Sequence, residues 1–274
     1  MANFIHLDGY AHLVDLPCIR FSFADYTAVV SLFGGQVLSL THHDEELLWL
    51  SPTTAWQNQQ PIRGGIPICW PWFGPADQAF TEQQVPNHGL ARTQIWQQVA
   101  DETCKDHALL ILQAEFDQVP GHPGKVRLQC QYLLSSKGLH LHLHCNDLKM
   151  QQAALHTYFA CDDVRQVTVS PLPATFINKV VAAETTTALN FGEEMDRIYP
   201  GAAAILTLQT PSALKLEQSG HDASVVWNPG QVKGSASKEI GPQQWMKFVC
   251  AETARLSLTD RTALNLQMTI SCPD

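Results

Sequence analysis

Basic residues are scarce in this chain: 17 lysines and arginines stand against 26 aspartates and glutamates, a net charge of −9 over 274 residues. That deficit argues against nucleic acid and anionic membrane as partners, because both need a basic footprint. Long apolar runs are missing too, and no segment approaches the ~20 residues that span a bilayer. The first residues, MANFIHLDGYAHLVDLPCIRF, have neither a basic n-region nor an uninterrupted apolar stretch, so no signal peptide is expected. The eight cysteines (18, 69, 104, 130, 145, 161, 250 and 272) are dilute and form no C-x-x-C pair. They read as buried, reduced thiols of a cytoplasmic protein. There is no G-x-x-x-x-G-K-[ST], no G-x-G-x-x-G and no G-x-S-x-G, hence no sequence basis for nucleotide phosphates, a dinucleotide or a serine elbow. No cofactor is expected.

What is present is enough apolar material for a large core: 45% hydrophobic residues with only 16% charged. Short runs rich in β-branched and aromatic residues recur along the chain. They include CIRFSF (18–23), YTAVVSLF (26–33), QVLSLT (36–41), ELLWL (46–50), QIWQQVA (94–100), ALLILQAEF (108–116), KVRLQCQYLL (125–134) and LHLHLHCND (139–147). VTVS (167–170), AAILTLQT (203–210), ALKLEQ (213–218), SVVWN (224–228), WMKFVCAE (245–252) and ALNLQMTIS (263–271) continue the series. Strands about ten residues apart, punctuated by turn pairs and without sustained helical periodicity, predict a large antiparallel β-sandwich. The length would suit two average domains, yet sandwiches reach this size as one. With no linker, repeat or composition break, residues 1–274 are expected to form a single domain, with a monomer as the working expectation.

Two histidine groups invite a metal reading. His140, His142 and His144 alternate with leucines and so share one face of a strand. Same-face neighbours lie ~6.6 Å apart, so the outer two are ~13 Å apart and the three cannot close on one ion. They read as a partly solvated sheet face. His42 and His43, beside Asp44, Glu45 and Glu46, read as a polar turn between strands. No metal site is expected.

One stretch resists the strand rhythm: IRGGIPICWPWFGPADQAFTEQQVPNHGLAR, residues 62–92. Pro67 and Pro71 exclude a helix, since each would remove a donor and clash with the preceding turn. They also exclude a continuous central strand. What remains is a stiff, extended loop that holds Trp70, Trp72, Phe73, His88, Arg63 and Arg92 in fixed directions, a surface suited to a small polar ring bearing an anion. In a chain of net charge −9, such an anion must be gripped by local arginines.

IRGGIPICWPWFG and NHGLAR resemble motifs of the hexose-6-phosphate mutarotases, a branch of the aldose 1-epimerase superfamily. LHTYF (155–159), MDRIYP (195–200), VVWNPG (225–230) and FVCAETA (248–254) follow in the order of that family's other blocks. The resemblance implies an all-β fold of the galactose-mutarotase type and an isomerase that interconverts the α and β anomers of a hexose 6-phosphate. Ring opening takes a proton from the anomeric hydroxyl and gives one to the ring oxygen, which calls for a base and an acid with pKa values near working pH. By resemblance, the base is Glu252 and the acid His156. Arg63 and Arg92 would grip the phosphate, whose oxygens a guanidinium fork matches. His88 would contact the sugar near its reacting end, Asp196 would accept from ring hydroxyls, and Asn87 adjoins them. Trp70, Trp72 and Trp227 read first as loop packing and second as stacking platforms. The rival readings are an epimerase of unphosphorylated sugar, which Arg63 and Arg92 disfavour, and a silent carbohydrate-binding module, which His156 with Glu252 disfavours.

Overall fold

The runs that alternate large apolar with polar residues become strands with one buried face. His107–Phe116, Val126–Ser135, Gly138–Cys145 and Leu264–Ser271 each bury every second residue and leave the others half-open. The period of two is what lets a single strand face both core and solvent. In the computed structural model, which describes residues 4–181, 187–210 and 212–273, these strands sit side by side in an eight-stranded sheet. Its order is Thr168–Ser170, Ile205–Gln209, Ala213–Ser219, Leu264–Ser271, Gly138–Cys145, Val126–Ser135, His107–Phe116 and Gln97–Thr103.

A second sheet runs from Ile177–Asn178 through Met195–Pro200, Ala223–Asn228 and Phe248–Arg255 to Ala153–Leu155 and Ile68–Cys69, with Tyr158–Ala160 also paired to Phe248–Arg255. A third holds the N-terminal strands from Ile5–Tyr10 to Glu45–Glu46. Every pairing between named strands is antiparallel. Inner residues of all three sheets, such as Leu110, Leu141 and Leu266 with Val226, Val249, Ile68 and Val30, merge into one apolar cluster. The fold is therefore the expected antiparallel β-sandwich.

Phe248–Arg255 is exceptional in that all eight residues are buried. It lies in the middle of its sheet with the core on one side, and its other face is roofed by loops, so the polar residues it carries are enclosed. The stretch 62–92 supplies much of that roof. It contributes only the two-residue strand Ile68–Cys69 and is otherwise loop, held where Leu90 N–H donates to the Trp70 carbonyl at 2.7 Å. Gly89 makes that approach possible: its φ is +80°, and a Cβ there would lie 1.9 Å from the Trp70 oxygen.

Several expectations need correction. Of ELLWL only Glu46 is strand, closing the two-residue Glu45–Glu46, after which Leu48 and Leu50 make isolated bridges to Phe159 and Gly64. WMKFVCAE begins as a 3₁₀ turn, Gln244–Lys247, entered through Gln243 at φ +64°, and becomes strand only at Phe248. The short helix Gly230–Ala236 was not anticipated. The same holds for Met195–Pro200, whose apolar and polar residues alternate too briefly to stand out.

Candidate active site

His156 falls in a gap between two short strands, Ala153–Leu155 and Tyr158–Ala160, that pair with the same neighbour. Leu155 is opposite Thr253 and Tyr158 opposite Cys250, so the register carries across the gap and sets His156 opposite Glu252. Directly opposed residues on antiparallel strands point their side chains to the same face. His156 Nε2 accordingly lies 3.3 Å from Glu252 Oε1. Ala251 N–H keeps a rung to the Thr157 carbonyl at 3.2 Å across the gap, while His156 N–H turns away to the Pro67 carbonyl at 3.0 Å.

The pair is enclosed. The Glu252 side chain is 1% exposed and that of His156 12%. Neither carboxylate oxygen of Glu252 has a hydrogen-bond partner among the described residues, because the His156 contact is close but poorly aligned. Burial therefore dominates both groups. It pushes the Glu252 carboxyl well above its ordinary range, with the Asp196 charge adding to the effect. Burial also holds the His156 imidazole well below its ordinary range, helped by the nearby cations Arg92 and Arg63. Both side chains are thus favoured neutral, with the shared proton on the carboxyl.

Above the pair opens a cleft of about 870 Å³. Its lining brings together all the residues expected to act on or bind the sugar phosphate: Arg63, Asn87, His88, Arg92, His156, Asp196 and Glu252. His88 is held by reciprocal bonds with Gly74, its N–H donating to the Gly74 carbonyl at 2.7 Å and its Nδ1 accepting from Gly74 N–H at 3.3 Å. Its pKa is lowered to about 3, by burial first and then by Arg92 and Arg63. Neutral and accepting at Nδ1, the ring carries its hydrogen on Nε2, so it is a donor. Its ring is steeply inclined to that of His156, with centroids 5.6 Å apart and planes 73° apart. Arg92 donates from Nη2 to the Asn87 carbonyl at 2.6 Å, while its buried Nε has no partner among the described residues. Arg63 gives Nε to Glu239 Oε2 at 2.7 Å and Nη1 to the Tyr158 hydroxyl at 3.2 Å. Asp196 sits opposite Trp227, and burial raises its pKa while Lys179 opposes that rise.

Trp70 and Trp72 are fully buried, their indole N–H groups donating to Gln151 Oε1 and the Pro86 carbonyl, which makes them packing residues. Trp227 alone of the three lines the cleft. Sequence reasoning missed Tyr158, Gln152, Glu239, Lys179 and Lys233, which line the cleft or bind its arginine. Tyr158 lay inside the LHTYF block and could have been found there, whereas Glu239 carried no signal.

The histidines at 140, 142 and 144 lie on the outer face of the eight-stranded sheet, with His140 bonded to Thr269 and His142 to Asn265. His42 stacks on Tyr26, and His43, at φ +47°, forms the turn as expected, 3.6 Å from Asp25. Donor atoms of Asp25, His42 and His43 lie within 4.8 Å of one another on the surface.

Residues 17–266 match the sequence profile described as Aldose 1-epimerase. A protein of Escherichia coli (strain K12), provisionally named glucose-6-phosphate 1-epimerase, is 32% identical over 259 residues, covering 91% of this chain and 84% of that protein. A crystal structure from Salmonella typhimurium, of a protein provisionally named a mutarotase, superposes with a TM-score of 0.84 at 26% identity, covering 99% of this chain and 94% of that one. Galactose 1-epimerase from Lactobacillus acidophilus NCFM gives a TM-score of 0.70 at 14% identity, covering 100% of this chain and 99% of that one, a likeness of fold alone.

Proposed function

The chain belongs to the aldose 1-epimerase family and is an isomerase of sugar anomers; from that premise we infer that its substrate is a hexose 6-phosphate and that His156 and Glu252 perform the proton transfers. The observation that carries the reading is the 3.3 Å contact between His156 Nε2 and Glu252 Oε1 at the base of a cleft that Arg63 and Arg92 also line.

The anomeric and ring oxygens share one carbon, so the acid and base that serve them must sit side by side. Glu252 as carboxylate takes the anomeric proton, and His156 as imidazolium gives one to the ring oxygen. The C1–O5 bond opens, the aldehyde rotates, and the reverse transfers close the ring from the other face. The pair ends with the proton count it began with, so either anomer is a competent substrate. His88, a neutral donor, supports a hydroxyl or oxygen near C1, and Asp196 accepts from ring hydroxyls. Arg92, with its unspent Nε, and Arg63 hold the phosphate. The eight cysteines are all free thiols, which fits a reducing cytoplasm.

The test is an anomer-exchange assay by NMR, run in parallel on glucose 6-phosphate and glucose. Acceleration on the phosphorylated sugar, well above the spontaneous rate and above that on glucose, is expected. No acceleration on either sugar would leave only a binding protein, and equal efficiency on both would remove the phosphate from the reading.

A further inference from the structure

Tyr158 takes no part in the proton transfers, yet this tyrosine links two parts of the site. Its ring lies flat on His156, with centroids 4.9 Å apart and planes 14° apart. Its hydroxyl accepts from Arg63 Nη1 at 3.2 Å. A guanidinium can only donate, so the phenol's own hydrogen is not spent on Arg63. No acceptor for it is found among the described residues. The ring is 3% exposed and lines the cleft, wedged against Trp49, Trp227 and Phe248. Its backbone is fixed at both ends, Tyr158 N–H donating to the Gly65 carbonyl and Trp49 N–H to the Tyr158 carbonyl, each at 2.9 Å. The result is an immobile donor with an unspent hydrogen beside the imidazole.

Arg63 is itself aimed by a third residue. Glu239 Oε2 takes both Nε and Nη2, at 2.7 and 2.6 Å, which pins one edge of the guanidinium and leaves Nη1 toward the phenol. Glu239 is anchored in turn, since Thr53 Oγ1 donates to the adjacent Lys238 carbonyl at 2.9 Å and Ser51 Oγ donates to the Glu239 carbonyl. The chain of contacts runs Glu239, Arg63, Tyr158, His156, Glu252.

Sugar chemistry says what such a donor would meet. The carbon bonded to the ring oxygen on the side away from C1 carries the C6 arm. A group stacked beside the residue that protonates the ring oxygen therefore faces the start of that arm. The geometry points to Tyr158 as a specificity-determining residue whose hydroxyl, oriented by Arg63, donates to the phosphate ester at C6, with Glu239 as the positioning residue for Arg63. This rests on the hexose 6-phosphate reading and deepens it: the phosphorylated arm is recognised by a phenol next to the acid as well as by arginines.

Tyr158→Phe keeps the ring and its stacking and deletes only the hydroxyl. The kcat/KM for glucose 6-phosphate should fall about tenfold, the worth of one hydrogen bond to a charged acceptor, and by a factor at least five times greater than for glucose. Glu239→Gln should raise KM for glucose 6-phosphate severalfold with kcat within about twofold. Inorganic phosphate, titrated as an inhibitor of glucose turnover, should bind more weakly to Tyr158→Phe than to wild type. Equal losses on the two sugars, a loss under twofold on glucose 6-phosphate, or unchanged phosphate inhibition would overturn the assignment. A kcat loss without a KM change in Glu239→Gln would overturn the positioning role. If wild type itself shows no preference for glucose 6-phosphate, the substrate reading fails and takes this inference with it; a preference kept in wild type with equal losses in Tyr158→Phe sinks the inference alone.

Discussion

Glu252→Gln should separate activity from stability, moving them in opposite directions. Glutamine keeps the shape of the side chain but has no proton to exchange, so kcat on hexose 6-phosphate should drop by about 10²–10⁴, the usual worth of one acid–base group. Stability follows from the surroundings. The carboxyl is 1% exposed, finds no hydrogen bond to either oxygen among the described residues, and its neighbour His156 is held neutral by burial. Burial thus raises its pKa in the folded protein above the ordinary 4.5. A raised carboxyl pKa means that the folded chain holds this proton more tightly than the unfolded chain does. Its favourable contribution is complete below the unfolded pKa and is lost as pH rises through the folded one. Glutamine has nothing to lose over that range. The variant should therefore match wild type in thermal unfolding near pH ~4 and exceed it near pH ~8, each tenfold difference in acidity being worth about 1.4 kcal/mol, with roughly 2–4 °C per kcal/mol for a chain of this size. Calorimetry at the two pH values and the NMR exchange assay measure both halves. Turnover near wild type would remove Glu252 from the chemistry, and a variant no more stable at pH 8 than wild type would refute the desolvation argument.

His156→Asn should cost a similar factor in kcat, and the double variant with Glu252→Gln should be no worse than either single, since a concerted pair fails as a unit; additive losses in single-turnover assays would speak against that. Exhaustive chelation should leave full activity because two side chains fill both proton-transfer roles, and a loss restored by zinc would reopen the surface group Asp25, His42 and His43 as well as the strand histidines. Arg92→Ala and Arg63→Ala should each lower kcat/KM on hexose 6-phosphate by roughly ten- to a hundredfold, from charge-assisted bonds of ~1.5–3 kcal/mol. Parallel assays on unphosphorylated hexose should show a much smaller change, and equal losses on both sugars would make the arginines supports of the loop.

The strands that proved easiest to read are those whose two faces differ. LHLHLHC and LNLQMTIS show their period because one face meets the core and the other is half-open. Phe248–Arg255 could be recognised as apolar but its start could not be fixed, since a strand buried on both faces has no alternation to mark where it begins. The candidate site residues were picked out through short blocks that resemble a known family's, and those candidates line one cleft. What stayed hidden was the partnering. That His156 faces Glu252 depends on a register held across a gap by strands of three residues each, and nothing local to LHTYF encodes the partner 96 positions later. Glu239 is similarly opaque: in KEIG it looks like any surface glutamate, and only the folded chain brings it to Arg63.

The electrostatics of the cleft connect the proposed anchor to the proposed chemistry. The chain as a whole is negative, so the cationic character that a phosphate needs must be supplied locally, by Arg63 and Arg92 in the cleft. There Arg92 and Arg63 disfavour protonation of the two nearby imidazoles, adding to the burial that holds both His88 and His156 low. Burial, with that field on His156, favours the proton of the facing pair on Glu252, whereas the proposed chemistry starts from carboxylate and imidazolium. A phosphate gripped by the arginines, as proposed, would offset their charge and so relieve part of what keeps His156 from accepting the proton. Transfer from Glu252 to His156 would then yield the carboxylate and imidazolium that the proposed ring opening requires. Unphosphorylated sugar would supply no such offset. On this account the remote anion contributes to kcat as well as to KM, as binding energy directed at the reacting centre does, and truncating Arg92 should blunt both parameters on the phosphorylated sugar.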